Sequence, residues 1–200
     1  MWGGTEHPHW EDFILDEPWA YALWAVGAYL LGSMPVGEFV ARVGRVDIRS
    51  AGTGNPGAAN VYREVGPAYG VAVFSFDCAK GSAATLPLFL IGAPASVAAI
   101  AMASVLAGHF FPVPWRSIGG TGMVVAMGTT LGLLPAGAMI AAVPSVICIR
   151  LTRNSGYTGA LFFTTAIVSG WLVHRDEVAA VAVLLGAVAI SLKALVQYRG

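Results

Sequence analysis

The chain has 200 residues, 56% of them hydrophobic and 11% charged, with a mean hydropathy of +0.70. Soluble domains carry about 25% charged residues, so this composition excludes an ordinary water-soluble globule and places the chain in a bilayer. The 11 basic and 11 acidic residues cancel, which removes any electrostatic argument for a nucleic-acid partner.

Residues 1–18 hold five acids and no Lys or Arg. They lack the basic region of a secretory signal and read as a short acidic extracytoplasmic tail. Residues 19–200 read as one transmembrane domain. A hydrocarbon core of about 30 Å takes about 20 helical residues, and apolar runs bounded by Gly, Pro or charge predict seven spans. They cover Trp19–Val40, Pro67–Ile91, Pro94–Pro112, Gly120–Leu134, Ala136–Ile149, Thr158–Val173 and Val178–Val196. The fourth and fifth are short and parted only by Pro135–Gly137, so one kinked helix is the alternative to two spans. The expected fold is an all-α polytopic transmembrane bundle.

Charge orients it. With the N-terminus outside and seven spans, Arg42, Arg45, Arg49, Arg63, Arg116, Arg150, Arg153, Lys193 and Arg199 fall inside and Arg175 alone outside, with Lys80 within a span. The acids of the tail, Asp176 and Glu177 lie on the outer side. That bias follows the positive-inside rule and predicts an N-out, C-in topology in the cell membrane. Merging spans four and five would weaken it. Cys78 and Cys148 fall in apolar stretches and are expected to be buried packing residues; no His or second acid lies near Cys78 in sequence to make it a nucleophile.

Four segments carry chemistry. The first inner loop reads VDIRSAGTGNPGAANVYREVG, with Gly52, Gly54 and Gly57 around Asn55. Such glycines let backbone N–H groups approach an anion, while Thr53, Asn55 and Asn60 add neutral donors beside Arg49 and Arg63. A phosphate cradle and a flexible re-entrant turn bearing lipid-binding arginines are both compatible with that composition. In FSFDCAKG, Asp77 and Lys80 stand at i and i+3 on one helix face inside an apolar span, either as a mutual ion pair or as lining of a polar cavity. In GHFFPVPWRSIGGTGM, His109 ends a span, and Gly119, Gly120 and Gly122 open the next, where free N–H groups and the helix dipole favour an anion. The turn IRLTRNSGY offers Arg150 and Arg153 as membrane anchors, with Asn154 and Ser155 as polar candidates.

Taken together, GSMPVG (32–37), DIRSAGTGNPGAANVYR (47–63), DCAKG (77–81), GHFFP (108–112) and GGTG (119–122) resemble the bacterial acyl-phosphate:glycerol-3-phosphate acyltransferases of the PlsY type. The order and spacing match over about residues 25–155. The resemblance implies an integral-membrane enzyme with seven spans that moves an acyl group from acyl phosphate to the 1-hydroxyl of glycerol 3-phosphate, giving lysophosphatidic acid. It implies no metal, no cofactor, and no acyl carrier protein or coenzyme A donor; an enzyme that forms the acyl phosphate is a candidate partner, beside the lipid bilayer itself. It assigns Thr53, Arg63 and His109 as catalytic candidates. Arg49, Gly54, Asn55, Gly57, Asn60, Asp77, Lys80, Gly119, Gly120, Thr121 and Gly122 become substrate-binding candidates. Gly54, Gly57, Arg63, His109, Gly119, Gly120 and Gly122 are therefore expected to converge on one cytoplasm-facing pocket.

The sequence also departs from the family pattern. Thr53 stands for a serine, Ala59 for a threonine and Thr121 for a lysine; TRNSG replaces a TRYxS-like loop, and the terminal SLKALVQYRG lacks the family's His and Asn. Loss of a lysine from a phosphate site removes a full charge. A catalytically silent relative or scaffold that binds lipid or phosphate, and a small transporter, are the alternatives, although no internal repeat of the kind common in transporters is present.

Overall fold

A computed structural model describes residues 18–115 and 119–198, and the described residues form helices and loops without a strand. The acidic tail through Glu17, Arg116 of the third motif and the terminal Arg199 lie outside the described residues. Among the described residues nine α-helices follow in order: α1 Pro18–Gly32, α2 Val36–Val43, α3 Ala58–Glu64, α4 Pro67–Leu90, α5 Ala95–Phe110, α6 Met123–Leu133, α7 Pro135–Thr152, α8 Ser155–His174 and α9 Glu177–Tyr198.

Two expected spans differ. The run Trp19–Val40 is broken between α1 and α2, because Pro35 lacks an N–H and disfavours a helical Met34 before it. The run Gly120–Leu134 becomes helical only from Met123, since Gly122 takes φ 80° and caps α6. At 11 residues α6 is about 16 Å long, half of a hydrocarbon core. Five stretches of the described residues are long and apolar enough to cross a membrane: Trp19–Val43, Ala95–Trp115, Pro135–Thr152, Ser155–His174 and Glu177–Gln197. At 24 residues α4 has the length to cross as well, with Asp77 and Lys80 near its middle.

Small residues set the packing. A Cβ on Gly81 would strike the Val125 carbonyl of α6, and one on Gly128 would strike the Cys78 carbonyl of α4, so these two backbones meet as close as helices can. Side-chain hydroxyls cross the same seam: Thr85 donates to the Thr129 carbonyl at 2.9 Å and Ser82 to that of Gly128 at 3.2 Å. Met102, Val105, Val125, Leu134, Phe162, Phe163 and Val183 fill the core. The outer faces stay apolar and exposed, with Val71 and Phe76 on α4, Ile140, Val143 and Val146 on α7, and Leu185 and Leu192 on α9. Apolar surface of that extent has lipid as its solvent, and the protein is a multi-pass integral membrane protein. Cys78 and Cys148 are free and half-buried, on the flanks of helices rather than in the buried core expected for them.

The loop between α2 and α3 is held in place. Ile48 sinks into a small apolar cluster with Ala41, Val61 and Val73, which pins the loop between α2, α3 and α4.

Candidate functional site

The break after α1 leaves helix-end carbonyls without intrahelical partners. Lys80 reaches from α4 to satisfy them, donating to the Met34 carbonyl at 3.0 Å and the Gly32 carbonyl at 3.4 Å. Its Nζ also lies 2.8 Å from Asp77 Oδ1, so the ion pair expected from the i, i+3 spacing is formed, with both residues buried. The fourth neighbour of Nζ is His109 Nδ1, 3.3 Å away. An ammonium can only donate, so Nδ1 accepts and the imidazole proton sits on Nε2. Lys80 is thereby fully engaged, and His109 becomes a fixed donor at the end of α5.

The first loop is arranged by its own asparagines. The Asn60 side chain donates to the Ala51 carbonyl at 3.0 Å and accepts from the Thr53 amide at 3.1 Å. That leaves Asn60 to shape the loop. Asn55 is buried and accepts from the Gly57 amide at 3.1 Å, while Gly54 turns the chain at φ 68°. Arg49 reaches back to α2 and grips Glu38, with Nε 3.1 Å from Oε1 and Nη2 on the same oxygen. Glu38 carries a second, longer ion pair to Arg42 at 3.8 Å.

The glycine segment before α6 meets these groups. A Cβ on Gly119 would collide with the His109 carbonyl, and the Gly119 amide donates to the Phe110 carbonyl at 3.2 Å. A methyl group on Gly120 would lie 3.1 Å from Asn55 Oδ1, 3.1 Å from His109 Nε2 and 3.8 Å from the Gly57 nitrogen. One point beside Gly120 is thus within reach of three segments that lie far apart in sequence. A cleft opens there, lined by Ser33, Met34, Pro35, Glu38, Arg49, Pro56, Asp77, His109, Gly119 and Gly120 among others.

Of the residues expected to converge, Gly57, His109 and Gly120 meet at that point, joined by Asn55; Gly119 lines the cleft beside them, Gly122 packs against the rings of Phe110 and His109, and Gly54 lies against the Arg49 backbone instead. Arg49 and Asp77 line the cleft. Arg63 and Thr53 are exposed, and Arg63 is not among the residues lining the cleft. Thr121 is half-buried in the glycine segment. Asn154 caps α8, accepting from Gly156 N at 2.9 Å and Tyr157 N at 3.2 Å. Glu38 was missed by the sequence reading, which took the adjoining GSMPVG only as a motif; the signal was a lone acid just past a proline in an apolar run. Lys193 of α9 was classed as a tail cation, yet its Nζ donates to the Phe110 carbonyl at 2.9 Å, beside the glycine segment.

Backbone loops, an imidazole and paired cations around a narrow cleft in a lipid-facing bundle define an integral membrane protein with a polar site among its helix ends. The sequence profile of the family described as Glycerol-3-phosphate acyltransferase matches residues 22–199. A relative of that name from Geobacter metallireducens is 41% identical over 114 residues, covering 57% of this chain and 59% of its own. Another from Solidesulfovibrio magneticus is 38% identical over 167 residues, covering 80% and 81%. The crystal structure of PlsY (YgiH), an integral membrane glycerol 3-phosphate acyltransferase in its glycerol 3-phosphate form, superposes with a TM-score of 0.78 at 25% identity over 86% of this chain and 87% of that one. The chain belongs to the glycerol-3-phosphate acyltransferase family.

Proposed function

We propose that the protein transfers an acyl group from acyl phosphate to the 1-hydroxyl of glycerol 3-phosphate, releasing lysophosphatidic acid and inorganic phosphate on the cytoplasmic side of an N-out, C-in bundle. The observation that carries this reading is the convergence of Asn55, Gly57, His109 and Gly120 on one point of a lined cleft. Relatives bearing the enzyme's name match as much as 80% of the chain, which does not favour a silent scaffold or a transporter.

The chemistry follows from the groups present. The hydroxyl oxygen attacks the acyl carbonyl carbon, the bond from that carbon to the phosphate oxygen breaks, and phosphate leaves with the electron pair. Negative charge gathers first on the carbonyl oxygen, where a preorganised donor is worth most. His109 Nε2–H is such a donor, because Lys80 holds the other ring nitrogen. The same tautomer cannot take a proton at Nε2, so the hydroxyl proton passes to a phosphate oxygen of a substrate. Holding both substrates in the cleft replaces an encounter in water by a fixed approach, and the lipid-facing helices leave room for the acyl chain in the bilayer. Arg63, the phosphate cation implied by the family resemblance, is exposed at the end of α3 and outside the cleft lining, so its part in acceptor binding is decided by substitution.

Purified protein given palmitoyl phosphate and labelled glycerol 3-phosphate is expected to form labelled lysophosphatidate. No product above a blank at high enzyme concentration overturns the proposal, and uptake of the label into liposomes without acylation would assign transport instead.

A further inference from the structure

Among the described residues, the cations around the cleft are not equivalent. Arg49 is neutralised by Glu38 and Lys80 by Asp77. Lys193 forms no ion pair with a carboxylate among the described residues. Its Nζ shares the Phe110 carbonyl with the Gly119 amide, the two donors at 2.9 and 3.2 Å, so the ammonium stands directly beside the glycine segment. It lies 4.6 Å from the centre of the Phe110 ring and 5.1 Å from that of Phe111, contacts that use its positive charge but leave N–H bonds over. Gly119 lines the cleft, so an ammonium beside it with N–H bonds left over is stabilised by an anion there. The glycine segment itself offers only the neutral Thr121.

We propose that Lys193, delivered from the last helix, is the phosphate-contacting cation of the cleft and supplies the charge that Thr121 does not. Its ligand is a terminal phosphate group, which both substrates of the proposed reaction carry, one as an ester and the other as an acyl anhydride; the inference rests on that reaction only for the identity of those substrates. A lysine donor on a phosphate is a charge-assisted contact, and its carrier α9 packs against α5 and α6, the two helices that flank the glycine segment. Geometry therefore gives Lys193 a fixed post rather than a free tail position.

The test uses full-length protein in detergent and three forms: wild type, Lys193→Met, and Lys193→Met with Thr121→Lys. Methionine keeps an unbranched stem against the rings and removes the ammonium, with its charge and its bond to the Phe110 carbonyl. Inorganic phosphate is the first probe, read by the rise in unfolding temperature it causes. Loss of one charge-assisted contact is expected to weaken phosphate about tenfold or more in Lys193→Met, and the added lysine at 121 is expected to restore it. In the acyl-transfer assay, the KM of glycerol 3-phosphate or of palmitoyl phosphate is expected to rise by a similar factor with kcat changed less than about threefold, and the substrate affected identifies which phosphate Lys193 meets. Unchanged phosphate affinity in Lys193→Met overturns the proposal. So does a loss that tracks a lowered unfolding temperature and is not restored by Thr121→Lys, which makes Lys193 a structural anchor. If wild type binds phosphate through Lys193 yet makes no lysophosphatidate, the acyl-transfer reading fails and the phosphate contact stands.

Discussion

The α4–α6 seam with its adjoining loops and the α7–α8 hairpin are built from the same apolar alphabet but differ in what they bury. Around the seam, Ser33, Asn55, Asn60, Asp77, Lys80, Thr85, Thr129 and Thr130 are all buried, whereas the hairpin buries only Ser145 and Thr158 among polar residues. A buried polar group costs free energy unless it is bonded, and the cost is higher where lipid rather than water surrounds the fold. The bonded polar groups are concentrated on the side where the cleft opens, the side to which the proposed chemistry is assigned. The hairpin, with Met139, Ile140, Val143, Val146 and Ile147 facing outward on α7, is a lipid-facing scaffold.

Substitutions on the two sides should separate accordingly. The largest effect is expected for Asp77→Ala, which leaves the Lys80 ammonium buried without its carboxylate; breaking such a pair costs about 3–5 kcal/mol, read as a lowered unfolding midpoint together with lost activity. A midpoint within a degree of wild type would mean that the pair is open to water. His109→Ala should fold normally and lose about 100- to 1000-fold in kcat, the range for removing one oxyanion donor, with the KM values little changed. A change in KM alone would make the imidazole a binding group rather than a group acting in the transition state. For Arg63→Ala the expected loss is about 1.5–3 kcal/mol in kcat/KM for glycerol 3-phosphate, and activity equal to wild type would remove Arg63 from the site. On the scaffold side, Asn154→Ala removes the α8 cap and should cost about 1 kcal/mol of stability while leaving both KM values as they are.

Much of this division was legible before any coordinates. Asp77 and Lys80 at i, i+3 in an apolar run have little choice but to pair, and the glycine loops with His109 carry their own ordered motifs. What escaped the sequence was long-range or conformational. Averaged hydropathy joins α1 and α2 in the one apolar stretch Trp19–Val43, but it does not show that the missing N–H of Pro35 divides that stretch into two helices. The same averaging counted Gly120–Gly122 as helix, where the positive φ of Gly122 delays α6 and shortens it to 11 residues. Glu38 and Arg49 meet because the loop doubles back on Ile48, and Lys193 meets Phe110 across 83 positions of sequence. No local pattern announces either contact. Asn60 was legible as a polar loop residue, but only the fold reveals that its amide is engaged by Ala51 and Thr53.

The molecule offers a second place for an anion, an open groove lined by Arg42, Arg45 and Arg49 with Glu38 and Asp47. The most direct measurement is a structure of the protein with glycerol 3-phosphate bound. The phosphate or glycerol oxygens should lie within about 3 Å of His109 Nε2 and beside Gly120 and Lys193 Nζ, as hydrogen bonds to a charged ligand require. A phosphate seated in the arginine groove, with the space beside Gly120 left to solvent, would contradict the cleft assigned here and the chemistry built on it.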